Sequence, residues 1–198
     1  MKKQLFLLIP LIFVLCGCTE IKGNTNTISV ADVTDREQAI LHMNTDHAFM
    51  FDYNVSDEYK EATVWVEKYE AGKLADHPVS SISTSAKTEG TIIFSIQRPI
   101  QEFNKTVLNL SIGDKEGSGS VQNIDVQPED FNKMGAISST FSGDAKSVED
   151  ENVLATICYS KENEMGTITS AFYDEPEAHL DELADYDLVY VLKSHFKK

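Results

Sequence analysis

Cations are scarce in this chain: 17 Lys plus Arg stand against 32 Asp plus Glu in 198 residues, a formal net charge of -15. A protein that grips a phosphate backbone needs the opposite balance, so no nucleic-acid partner is expected. The sequence also lacks local signatures of catalysis. It has no Gly-x-Ser-x-Gly elbow, no His-Glu-x-x-His, no Gly-rich phosphate loop and no Cys-x-x-Cys. Internal repeats and low-complexity linkers are absent from Thr34 to Lys198, which excludes solenoids and points to one domain. Apolar residues make up 41% and charged residues 25%, the balance of an ordinary globular domain rather than a disordered or multi-span membrane chain.

The longest apolar run is short. Leu5 to Leu15 are eleven residues interrupted by Pro10 and preceded by Lys2 and Lys3. As a helix such a run reaches about 16 Å, roughly half of the hydrocarbon core, so it suits an export leader and not a permanent span. Its end, Leu15-Cys16-Gly17-Cys18, resembles the lipobox of bacterial lipoproteins. The resemblance covers residues 1–18 and implies a signal peptide over 1–17, removed before Cys18, whose sulfur carries a diacylglyceryl group. It departs from the common pattern at Cys16, where Ala or Ser is more usual. Residues 18–33, polar and rich in Asn and Thr, suit a lipid-anchored flexible spacer, with structure possible from Ser29 onward. The partner so implied is the membrane, reached through the diacylglyceryl anchor on its extracytoplasmic face.

With Cys16 removed and Cys18 acylated, Cys158 is the one thiol left and no internal disulfide can form. Cys158 lies in the apolar run Val153 to Tyr159 with no His or cation beside it in sequence, so it reads as a buried hydrophobe rather than a nucleophile.

Beyond the spacer the dominant period is two. Phe49, Phe51, Tyr53 and Val55 alternate with polar neighbours, as do Ile92, Phe94 and Ile96, and Leu108, Leu110 and Ile112. Further strands are expected at Thr63 to Tyr69, with Ala71-Gly72 closing a turn to Lys73-Leu74, and at Ser120–Val126, Ala136–Phe141, Asn152–Ser160, Gly166–Tyr173 and Asp187–Leu192. Gly117-Ser118-Gly119 and Lys161-Glu162-Asn163-Glu164 read as hairpin loops. Two short helices are expected. Thr34-Asp35-Arg36-Glu37 forms a capping box ahead of Ala39, Ile40 and Met43, and Pro176 opens a second helix bearing Leu180, Leu183 and Ala184. Roughly nine two-faced strands and two helices, without strand-helix alternation, predict a mainly β antiparallel β-sandwich over 34–198, with a soft boundary near 127–134 around Pro128.

Charge is concentrated late. Between Asp144 and Asp187 there are 13 acidic residues against Lys146 and Lys161. Glu149-Asp150-Glu151 and Asp174-Glu175-Pro176-Glu177 are the densest spots, read as a solvated repulsive face or, alternatively, as a site for a divalent cation or a basic partner. The loop at Asp114, Glu116 and Ser118, with Asp125 at relative position 12, has part of the oxygen spacing of an EF-hand, but its flanks read as strands. These four are the weak candidates for Ca²⁺, and no other cofactor is indicated. His42, Asp46 and His47 are the one compact His-carboxylate group, and Trp65, Tyr69 and Tyr53 a conceivable stacking platform. The Lys-Lys leader and acidic body are similar to small lipoproteins of Gram-positive, Bacillus-like bacteria. The expected function is therefore a membrane-tethered, extracytoplasmic, non-enzymatic binding or structural module that contacts an envelope protein or polymer. The alternatives are a Ca²⁺-dependent binding module using the acidic loops, and an envelope hydrolase with paired carboxylates.

Overall fold

Phe94 stands between Phe49 and Leu110 on the neighbouring strands, and all three point inward. This register repeats at Phe51, Ile92 and Ile112, converting the period of two into a buried layer. The computed structural model describes residues 26–99, 104–162 and 165–198. Its strands are β1 Thr27–Val30, β2 His47–Asn54, β3 Glu61–Glu70, β4 Lys73–Leu74, β5 Ser80–Ser85, β6 Glu89–Gln97, β7 Lys105–Asp114, β8 Gly117–Val126, β9 Gly135–Thr140, β10 Lys146–Ser147, β11 Asn152–Ser160 and β12 Leu188–Lys197. They form two antiparallel sheets. The first runs β10-β1-β2-β6-β7-β8; the second runs β4-β3-β12-β11-β9, with β5 also paired to β3. The protein is an antiparallel β-sandwich.

Twelve strands replace the expected nine. β1 lies inside the stretch 18–33 read as spacer, where Ile28 buries completely beside Tyr53; ordered structure therefore begins before Thr34. β5 is Ser-Ser-Ile-Ser-Thr-Ser, a segment with too little apolar texture to announce itself, recruited by its ladder to β3. The hairpin between β7 and β8 turns at Lys115-Glu116, not at Gly117-Ser118-Gly119. Asp114 Oδ1 accepts from the amides of Glu116 (2.8 Å) and Gly117 (3.1 Å), fixing the turn there. Ala71 (φ 47°) and Gly72 (φ 75°) close the β3–β4 hairpin as expected, both in the left-handed region. A Cβ on Gly72 would also stand 2.8 Å from that of Ala184, so this turn admits glycine alone without displacement.

β11 is buried along its whole length and β12 nearly so, on both faces. In β12 Tyr190 and Leu192 face the first sheet, whereas Val189 and Val191 face away and yet are fully buried. A second layer covers them. It is built from residues 165–187: α2 (Ser170–Asp174) and 3-10 turns at Pro176–Ala178 and Leu180–Asp185, which bury Ile168, Phe172 and Leu183. The strand expected over Gly166–Tyr173 is therefore replaced by coil and helix. Thr169, in an extended conformation, precedes α2, and Tyr173 turns its hydroxyl onto Thr156 of β11 and Ser139 of β9, each at 2.8 Å. The second expected helix, opened by Pro176, is present only as 3-10 turns, with Leu183 buried as its pattern requires.

α1 (Asp35–Asn44) carries the full capping box: the Glu37 amide donates to Thr34 Oγ1 at 3.3 Å and the Thr34 amide to Glu37 Oε2 at 2.8 Å. None of its residues is buried, and Ile40 and Met43 are 58% and 73% exposed. Local capping thus outweighs tertiary packing in holding this helix.

Candidate functional site

The two faces of the sandwich differ in what covers them. The second sheet is roofed by residues 165–187, whereas the outward side of the first sheet has no layer over it among the described residues. The outward positions follow from register: Asp52 and Met50 on β2, Thr91, Ile93 and Ser95 on β6, Asn109 and Ser111 on β7, and Ser118, Ser120 and Gln122 on β8. The surface is rich in hydroxyls and carboxamides. Many of these are joined across strands: Gln122 Nε2 donates to Asn109 Oδ1 at 2.7 Å, Thr91 Oγ1 to Asp52 Oδ1 at 2.8 Å, and Ser111 Oγ to the Gly119 carbonyl at 3.0 Å.

At the β1 end this face dips into an open concavity of about 550 Å³ lined by Ser29, Asp52, Glu89, Thr91, Ser111 and Asp114 among others. Gly113, opposite Thr91, lines it, and β8 approaches so closely there that a Cβ would stand 2.4 Å from the Ser118 Cα. The carboxylates at the rim are already partnered. Glu89 lies 3.4 Å from Lys115, Asp52 accepts from Thr91, and Asp114 caps the hairpin turn. The Glu116 amide, with that of Gly117 and nearby lysines, holds the Asp114 carboxyl below the usual range. A general acid needs the opposite displacement.

Among the described residues, the acidic Asp125 is not part of this concavity. β8 is extended, so Asp125, eight residues beyond Gly117, lies roughly 27 Å along the strand from the turn at ~3.4 Å per residue. Asp114, Glu116, Ser118 and Asp125 do not converge, and the EF-hand reading of this loop is corrected: an EF-hand loop wraps its twelve positions around one point, whereas here residues 117–126 run straight away from the turn as a strand. Asp125 instead faces the sandwich interior. Its Oδ2 accepts from Lys68 Nζ (2.9 Å), Tyr190 OH (2.6 Å) and Gln127 Nε2 (2.9 Å), tying β8 to the opposite sheet. Burial, and then Asp125, push the Tyr190 hydroxyl pKa well up.

The other singled-out residues are also placed. Cys18 and the lipobox lie outside the described residues. Cys158 is buried on the roofed face, and burial pushes its thiol up to about 12, which leaves it a hydrophobe at neutral pH. His42 is exposed on α1, Asp46 accepts from the Arg98 amide at 2.7 Å, and His47 meets the edge of Tyr159, so the three do not share a site. Trp65 and Tyr69 lie on the roofed side of β3, where both donate to Glu67 at 3.1 and 2.9 Å; Tyr53 is buried facing the other sheet, so no platform forms. Glu67 in turn meets Lys193 at 3.0 Å, and Lys193 also meets Glu151 at 2.6 Å. The acidic cluster at 174–177 belongs to the roof, where Lys146 of β10 reaches Asp174 and donates to the Tyr173 carbonyl.

A family model, the YgaN domain, matches residues 27–196, from the first residue of β1 to the penultimate residue of β12. The chain belongs to the YgaN domain family. No curated protein and no solved structure matches it. The bounds of the YgaN domain agree with the sandwich: both include β1, which seats Ile28 in the core, and both include the roof. No helix among the described residues is long and apolar enough to cross a membrane. Sequence reading alone missed the concavity of the YgaN domain. The signal was present in the polar phase of β2, β6 and β7, but only the tertiary structure shows which sheet is left uncovered.

Proposed function

We propose that this YgaN domain is a membrane-tethered, extracytoplasmic lipoprotein acting as a non-enzymatic binding module of the cell envelope, anchored by a diacylglyceryl group on Cys18. The observation that carries the binding reading is the asymmetry of the sandwich: one face roofed and acidic, the other open, polar and indented at Gly113. A surface of hydroxyl and carboxamide groups recognises a neutral, hydroxyl-rich polymer by many modest hydrogen bonds. A net charge of -15 repels polyanions, so an uncharged or cationic glycan strand of the envelope is the favoured contact. The tether supports this role. Cys18 is nine residues from Thr27, a reach of at most about 30 Å at ~3.3–3.6 Å per residue, and such confinement raises the local concentration of the face without any added contact.

Co-sedimentation of the full-length chain with purified cell-wall polymer tests the reading, using Ser111→Arg in the concavity as the comparison. Retention of the wild-type chain with at least fivefold loss in the variant is expected. Equal sedimentation of both, or of neither, refutes the assigned face. Mass spectrometry of the native N-terminus, together with fractionation of Cys18→Ala, tests the anchor; a cleaved but unacylated Cys18 refutes it.

A further inference from the structure

We propose that β8 is a self-association edge, through which two copies of this chain pair antiparallel and join their first sheets into one. β8 is the outer strand of that sheet, ten residues long, bonded to β7 along an unbroken register. In an antiparallel pair, alternate residues of an edge strand direct their N–H and C=O groups away from the partner, where they can template another strand. Long edges of this kind are ordinarily blunted by lysine, proline, a bulge or an inward-pointing charge; β8 has no lysine, proline or bulge, and its inward-pointing Asp125 is paired with Lys68. Its outward residues Ser118, Ser120, Gln122, Ile124 and Val126 are all exposed, Ile124 and Val126 by 61% and 62%.

Charge selects a second copy as the occupant. A chain of net charge -15 resists meeting itself, so two copies approach most readily where like charges are missing. β8 is such a place. Its single ionised residue, Asp125, points inward and is neutralised by Lys68 of its own chain at 2.9 Å. The neighbouring outward residues of β7 are Lys105, Val107, Asn109 and Ser111, so no carboxylate faces the edge and the one charge there is of the opposite sign to the net charge of the chain. A two-fold pairing along the whole edge would be isologous and centred on Gln122, setting Ile124 of each copy opposite Ser120 of the other and Val126 opposite Ser118. The inference is independent of the tether and of the glycan reading, since it uses the edge of the sheet and not its face.

Sedimentation velocity of the full-length chain in non-ionic detergent, at micromolar concentrations, tests the pairing. The wild-type chain is expected to be dimeric. Ile124→Lys and Ser120→Lys, both at exposed outward positions that leave the core intact, are expected to raise the dissociation constant by about tenfold or more, because each dimer carries the change twice. Ile40→Lys, at an equally exposed apolar position on α1, is expected to remain dimeric. A monomeric wild-type chain, association that survives both β8 substitutions, or dissociation by Ile40→Lys would each overturn the proposal.

Discussion

Replacing Asp125 by Ala removes the acceptor on which three donors from three strands or loops converge. Lys68 is 8% exposed at its side chain and Tyr190 fully buried, so neither regains full hydration when the carboxylate is lost. Breaking a buried ion pair by deleting one partner costs ~3–5 kcal/mol. Two features moderate this. Asp125 retains 15% exposure, and Lys68 keeps Glu70 at 2.9 Å, itself 61% exposed and therefore a weak substitute. A loss near the lower limit, about 3 kcal/mol, is expected. In urea, with a slope of ~2 kcal/mol/M for a domain of this size, that moves the unfolding midpoint down by about 1.5 M. Equilibrium unfolding followed by tryptophan fluorescence gives the readout directly, since Trp65 lies on β3, the strand that carries Lys68. The double variant Lys68→Met/Asp125→Leu, which removes the charges together, should recover at least half of the loss. A single-variant cost under about 0.5 kcal/mol, the range of an ordinary surface substitution, would refute the view that this cluster fastens β8 to the opposite sheet.

Phe94→Ala should destabilise by about 3–5 kcal/mol, because Phe94 is 1% exposed and stacks on Phe49 at 6.2 Å; denaturant titration checks it. Iodoacetamide at pH 8 should leave the Cys158 peptide unmodified in the folded chain and label it fully in urea, as peptide mass spectrometry would show; the reason is burial, which pushes the thiol up to about 12. His47 has its pKa lowered, chiefly by burial and partly by Arg98, against the opposing pull of Asp46. The unfolded chain therefore binds the proton better. His47 leaves stability undiminished above its unfolded value of 6.5 and destabilises the fold as pH falls through that value, an acid-side loss that thermal melting of His47→Gln should lack.

Strands with one dry face were legible because their chemistry is written in alternation: Phe49 to Val55, Ile92 to Ile96 and Leu108 to Ile112 fall where that period predicts. α1 was legible for a different reason, since its capping box is a local device that needs nothing from the rest of the fold. β5 was not, because Ser80 to Ser85 is a strand only by virtue of β3 beside it. Thr167-Ile168-Thr169 misled in the opposite sense. Its β-branched texture suits a strand, but the outward faces of β11 and β12 needed a cover, and burying Phe172 and Leu183 over them outweighs local propensity. Asp125 illustrates the limit for sites. Spacing from Asp114 suggested a shared ligand, whereas an extended strand separates the two and turns Asp125 toward Lys68.

The location of the roof also explains the uneven charge. The segment that covers β11 and β12 must be apolar beneath and wet above, and its upper side carries Asp174, Glu175, Glu177, Asp181 and Asp185, all exposed. Burying Ile168, Phe172 and Leu183 below such a layer gives a face that repels other copies and other anions while the core beneath stays dry. Among the described residues the first sheet has no such layer, and the outward positions of β6, β7 and β8 hold many Ser, Thr, Asn and Gln side chains, which carry no charge. One physical requirement, covering the second sheet, thereby leaves the other side of the molecule as the place for the contacts proposed above, a glycan at the Gly113 depression and a second chain at the β8 edge.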